Sequence, residues 1–264
     1  MLRNVFTKTL WELRRALLGW TIGVTAVGVM YAAWYPAVTA PEYVEMMESF
    51  APELMEALGF DDIVSPAGYI GSTTFGVIGP ALMIIFAAWF GTRAVAGDED
   101  AGKLDVLLAH PVARWRIVIE RFASLAVAAV LMCLVLFAGL VALSGVAQFG
   151  EIGATNLLAG SIHLAALAIF FGGLALAIGA ATASRGLATA VVAIVGVVGY
   201  FGNTMASQIE QIGLLRDLSP FHFFSGGRPL ANGFQPFDLS VLVIAAIAFV
   251  VVGTVLFTRR DVAV

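Results

Sequence analysis

Charge is scarce in this chain of 264 residues. Only 12% are charged and 60% are hydrophobic, and the mean hydropathy is +0.95. A soluble domain carries about a quarter charged residues, so the composition excludes an ordinary soluble protein and points to a polytopic membrane protein. Cysteine is nearly absent. The single Cys133 excludes an intrachain disulfide, and its place inside an apolar run marks it as a packing residue. No Cys/His cluster suggests a metal site. No Gly-x-x-x-x-Gly-Lys-[Ser/Thr] loop is present to cradle a phosphate, so if ATP powers this protein another chain must hydrolyse it. No Ser/His/Asp, paired-carboxylate or His-Glu-x-x-His constellation falls within an apolar run, which leaves an intramembrane hydrolase without machinery. Internal repeats, low-complexity segments and a signal-cleavage site are also missing, and no nucleic-acid partner is expected.

What is there is apolar length. Six uncharged runs cover residues 16–41, 63–92, 122–150, 152–184, 186–209 and 239–258. Each reaches the ~20 residues a helix needs to cross hydrocarbon. They predict spans near 17–36, 70–92, 122–144, 157–183, 187–206 and 239–258, with the fourth and fifth joined by a tight hairpin at Ser184-Arg185-Gly186. The expected fold is all-α: a single transmembrane domain over 1–264 with six transmembrane helices. An amphipathic interfacial helix is expected over 1–15, where Leu2, Val5/Phe6, Leu10 and Leu13 line one side and Trp11 suits the headgroup level.

Basic residues set the orientation. All 14 except Arg216 and Arg228 fall on one side: the N-terminus, the loop after the second span, Arg185, and Arg259/Arg260. Lysine and arginine favour the cytoplasm, so both termini are expected there. The first outer loop is acidic, with Glu42, Glu45, Glu48, Glu53, Glu56, Asp61 and Asp62. Tyr43, Met47, Phe50, Leu54 and Leu58 recur at helical spacing, which predicts an amphipathic helix broken or restarted at Pro52. Its carboxylates could attract cationic substrates or metal ions, though such a run is more often simply a solvated face. The last outer loop, 207–238, holds Phe221-His222-Phe223-Phe224 and Phe234-Gln235-Pro236-Phe237. It is too aromatic to run free in water and is expected to dip back toward the membrane or pack over the outer mouth. Gly19/Gly23, Gly172-Gly173 and Gly196/Gly199/Gly202 predict close helix contacts, some of them between subunits, and Pro80 predicts a kink in the second span.

Ionisable groups inside spans are functional suspects by default. His163 in the fourth span is the clear one, open to a proton or substrate role or to a hydrogen bond between helices. Asn203 heads a polar cluster at the outer end of the fifth span, as a path-lining or packing residue.

The densest charge lies in 97–121, between the second and third spans. Leu104, Leu107 and Leu108 fall at i, i+3 and i+4 and share a helical face. Asp98, Glu99 and Asp100 precede them, where carboxylates can cap free N–H groups, and Pro111 ends the ladder. The pattern predicts a short amphipathic cytoplasmic helix over 97–111, presenting an apolar edge to a partner or lying as a turn on the headgroups.

This stretch resembles the cytoplasmic loop of ABC-2 type transporter permeases: Asp98-Glu99-Asp100-Ala101-Gly102, then Leu104-Asp105-Val106-Leu107-Leu108, then Pro111-Val112-Ala113-Arg114. Ala113 stands where the family usually has serine. The resemblance implies a coupling helix formed by Asp98, Glu99, Asp100, Gly102, Leu104, Leu107, Leu108, Pro111 and Arg114. It also implies two ABC ATPase subunits carrying the ATP and Mg, a second permease copy or a sister permease, and export across the cytoplasmic membrane. The cargo implied is a drug, antibiotic, lipid or ion, moved with no catalysis or cofactor in this chain. Two other classes remain from the residues alone. A secondary transporter or channel should show charges within spans and repeated halves, and a non-transport assembly protein would use the loop for another partner.

Overall fold

The structure is a computed structural model that describes residues 4–50, 62–102, 104, 112–205 and 213–260. Among the described residues every regular element is helical. Six helices are long and apolar enough to cross a membrane: Val5–Val38, Pro66–Asp100, Arg114–Ser144, Ala154–Thr182, Arg185–Thr204 and Pro236–Arg259. The protein is an all-α, multi-pass membrane protein.

The helices run past the apolar runs that predict them. The first begins at Asn4, whose side chain accepts from the Thr7 N–H at 2.9 Å and satisfies a free N-terminal donor. It continues unbroken to Ala33, so the described part of the amphipathic segment, from Val5, and the first span form one rod rather than two elements. Nothing between Arg15 and Trp20 breaks a helix. Pro36 then sits at the start of a separate short helix, Tyr35–Val38.

The fourth span is the centre. Within its most apolar window 72% is buried inside the chain, against 22% for the fifth and sixth. It packs against the second, third, fifth and sixth spans. Adjacent glycines make this possible. A Cβ on Gly172 would lie 2.5 Å from Leu125 of the third span, and one on Gly173 would lie 3.1 Å from the Ala246 carbonyl of the sixth. Gly91 of the second span comes equally close, its would-be Cβ 2.7 Å from the Gly172 carbonyl. In lipid such close backbone packing stands in for the hydrophobic drive. The turn into the fifth span is tight, with helix ending at Thr182 and restarting at Arg185, and Ala183 takes the left-handed conformation (φ 55°) that closes it.

Two of the glycine faces go different ways. Gly19 and Gly23 have no neighbour within 4 Å and look outward from the chain. A Cβ on Gly199 would lie 3.3 Å from Pro220 and from Ser219, so the fifth-span face is used inside the subunit, to seat the segment that follows it.

The second span is not one regular helix. It holds π-helical turns at Thr74–Ile78 and Arg93–Gly97, with a regular stretch Gly79–Thr92 between them. The first lies directly before Pro80. Proline lacks the N–H and crowds the carbonyl four residues back, and an i→i+5 turn relieves that strain. The expected kink is thus a change of helical pitch.

Candidate functional sites at the two ends of the second span

The arginine-rich segments converge on one end of the bundle. There the second span finishes in the turn Asp98–Asp100, so the three carboxylates close this helix and do not open the next one. Consecutive helical residues step by about 100°, so three in a row point to three sides. Asp98 pairs with Arg121 of the third span, Glu99 with Arg260 at the end of the sixth, and Asp100 with Arg185 at the start of the fifth, the last at 3.0 Å. The π-turn just before the triplet adds a residue to the turn and so sets which way each acid faces.

This placement runs against local preference. Carboxylates at a helix C-terminus meet the negative end of the dipole, and the guanidinium groups offset that repulsion. The pairs differ in shelter. The Arg121 side chain is 9% exposed and its Asp98 29%, Glu99 and Arg260 are about one-fifth exposed, and Asp100 and Arg185 are about half exposed. Gly97 gives Arg185 room, since a Cβ there would sit 3.4 Å from its Cδ. Arg114 extends the lattice by donating to the Arg260 carbonyl at 2.7 Å, which satisfies an end carbonyl of the sixth span. Glu120, paired with Arg116, accepts from the Phe6 N–H at 3.0 Å and ties down the start of the first helix. Five of the six spans are therefore joined by charge at this end.

Gly102 ends the turn in the left-handed region (φ 64°), which glycine adopts without strain. Leu104 differs from its expected place on a partner-facing edge. It is fully buried among Val95, Val118, Leu176, Val250 and Phe257 of the chain's own core. Gly102, two residues earlier, takes a left-handed conformation that a continuing helix does not allow. Leu107, Leu108 and Pro111 lie outside the described residues.

At the far end of the same span is a cavity of about 290 Å³. The second span contributes Gly71, Ser72, Phe75 and Gly76, and the fifth contributes Tyr200, Asn203 and Thr204. The cover is the segment between the fifth and sixth spans, which forms short helices Gly213–Asp217, Pro220–Ser225 and Pro229–Asn232. Residues 206–212 of the aromatic outer loop and most of the acidic loop, 51–61, are outside the described residues, and the acidic loop shows only its first helix, Pro41–Glu48.

The cover is pinned from below. Ser219 is buried and donates to the Gly199 carbonyl at 2.8 Å, while Asn156 donates to the Leu230 and Ala231 carbonyls at 3.0 and 3.1 Å. Phe221 meets Tyr200 edge-on at 5.5 Å and Phe224 is buried beside it. Asn203 thus lines the cavity, whereas His163 does not. His163 is wholly buried in the fourth span, and its Nε2 accepts the Gln235 N–H at 3.3 Å, tethering the start of the sixth span.

The residues that sequence reasoning singled out therefore fall in three places: the triplet, Gly102 and Arg114 at the basic end, Asn203 in the cavity, and His163 behind it. It missed Arg121, Arg185 and Arg260 as partners, counting them only for orientation. The signal was present, because opposite charges on one side of a membrane seek each other. It also missed Gly71, Ser72 and Phe75, whose only mark was small residues near a polar span end.

A family model matches residues 2–258, and its family is described as the multidrug efflux system permease Rv1217c, C-terminal domain. Among curated proteins, none matches the chain.

Proposed function

The chain belongs to the family of the multidrug efflux system permease Rv1217c, C-terminal domain, and from that premise we propose that it is the membrane-spanning subunit of an ATP-driven ABC-2 type exporter. Transport, not catalysis, is the activity such a permease contributes. In this reading ATP and Mg are held by a separate ATP-binding cassette chain. The subunit works with a second copy or a sister permease in the cell membrane, with both termini in the cytoplasm. The cargo is a small or amphiphilic molecule.

The observation that carries the reading is the acidic triplet, with its three arginines drawn from three other spans. A loop that only joined two helices would have no use for carboxylates against the dipole. A loop that receives force needs its base fixed to the whole bundle. An ATPase that moves the 103–111 segment would pull on the second span's foot, and the ion pairs would carry that displacement into the third, fifth and sixth spans together. The π-turns at both ends of Gly79–Thr92 supply places where pitch can change while the stretch between stays rigid.

Truncating anchoring leucines at a buried contact costs a few kcal/mol. Leu107→Ala with Leu108→Ala should leave the permease folded but release its ATP-binding cassette partner, read by co-purification and ATP hydrolysis. Leu104→Ala should do the opposite, weakening the permease itself. A double-leucine variant that still holds its ATPase and exports at the normal rate contradicts the coupling assignment.

A further inference from the structure

We infer that the cavity between the second span, the fifth span and the aromatic cover is a binding site for a small, uncharged amphiphile with an aromatic body and a hydrogen-bonding head. The inference deepens the export reading by naming the class of cargo, and it rests on that reading for the claim that the ligand is cargo.

Five observations carry it. The space, about 290 Å³, lies near the lower end of small-molecule pockets, roughly 300–1,000 Å³. Its walls have two characters. Phe75, Tyr200, Phe221 and Phe224 offer ring faces and edges, and Ser72 and Asn203 offer a few hydrogen-bonding groups. That mixture selects an apolar body and orients its polar end. The space is also open where a side chain would be tolerated: a Cβ on Gly71 meets only Leu230 Cδ1, at 3.6 Å. Here glycine leaves room that packing does not require.

Charge narrows the class. Asp62 and Arg228 both border the cavity. Within the lining this carboxylate and guanidinium offset each other, so the walls themselves carry no net charge and suit a neutral ligand. Finally, Phe75, Gly76 and Val77 reach the wall from the π-turn Thr74–Ile78. This is the same span whose foot carries the acidic triplet, so a change of pitch there would reshape the wall.

The test uses the full chain in lipid nanodiscs, without ATPase or ATP. The one native cysteine, Cys133, is buried, so Ser72→Cys introduces the reactive thiol. Its rate of modification by N-phenylmaleimide is measured with and without N-phenyl-1-naphthylamine. At a concentration about ten times its Kd, the probe should slow labelling roughly tenfold and saturably. Leu218→Cys, on a residue 71% exposed, should be unaffected. Adding Gly71→Leu should remove the protection. Asn203→Leu should weaken it without filling the space.

Equal slowing at both cysteines means the probe only partitions into lipid, and overturns the site. So does no slowing at position 72. A Ser72→Cys thiol that reacts in detergent but never in nanodiscs gives the space to a lipid chain and overturns it too. Protection that holds while ATP-driven export fails would sink the export reading alone. Export without protection would sink the site alone.

Discussion

At one end of the second span three consecutive carboxylates each meet an arginine from a different helix, while at the other end glycine, serine and phenylalanine surround a cavity. The first arrangement is over-determined. Moving any one helix there breaks a charge pair, and a carboxylate left in a low-dielectric setting is costly. The second is under-filled. Its cover is held by a few hydrogen bonds, such as Ser219 to the Gly199 carbonyl. In the proposed reading, one end transmits a displacement and the other changes shape.

If that contrast is right, substitutions should divide by end. The largest effect is expected from Arg121→Leu. It leaves Asp98 unpaired at a mostly buried site and should cost about 3 kcal/mol, seen as a lower midpoint of thermal unfolding and a poorer yield of monodisperse protein. Glu99→Gln keeps an acceptor for Arg260 but loses the charge, and should cost about 1–2 kcal/mol. Its more telling effect is on coupling, with ATP hydrolysis continuing while export falls. Asp100→Asn breaks the exposed pair with Arg185. Such pairs are worth at most about 1 kcal/mol and are screened by salt, so the difference from wild type should vanish at about 1 M salt, where the Debye length is about 3 Å. Smallest of all, Gly71→Ala at the hollow end adds a methyl at ordinary contact distance and should change stability by less than about 0.5 kcal/mol. A Gly71→Ala variant as unstable as Arg121→Leu would erase the contrast.

The six spans were legible because hydrocarbon imposes length and forbids charge, and both are visible along the chain. Their ends were less so. The second span extends through Asp98–Asp100, beyond its uncharged run, because arginines on neighbouring helices make charged residues tolerable in a helix end. From one dimension the triplet looked like the start of the next helix, since aspartate before a leucine pattern is a capping signal. Only the packing reveals that it closes the previous one. Leu104 misled for a related reason. Periodicity places it with Leu107 and Leu108, but it is fully buried in the chain's own core. The sidedness of the arginines was readable, and their pairing was not. Asn203 and His163 looked alike as polar residues near spans, yet one lines a cavity and the other tethers Gln235. That difference depends on the cover, which folds back over the bundle from a distant part of the chain.

The central claim is that the ion pairs at the foot of the second span carry force from the ATPase into the bundle. A charge-swap cycle on Glu99 and Arg260 tests it most directly, with export per ATP hydrolysed as the measured quantity. Glu99→Arg alone and Arg260→Glu alone should each uncouple hydrolysis from export, because each sets like charges against one another. The double variant should recover most of the coupling, since the pair is restored with its ends exchanged. Single variants that stay coupled, or a double variant no better than either single, would contradict the account.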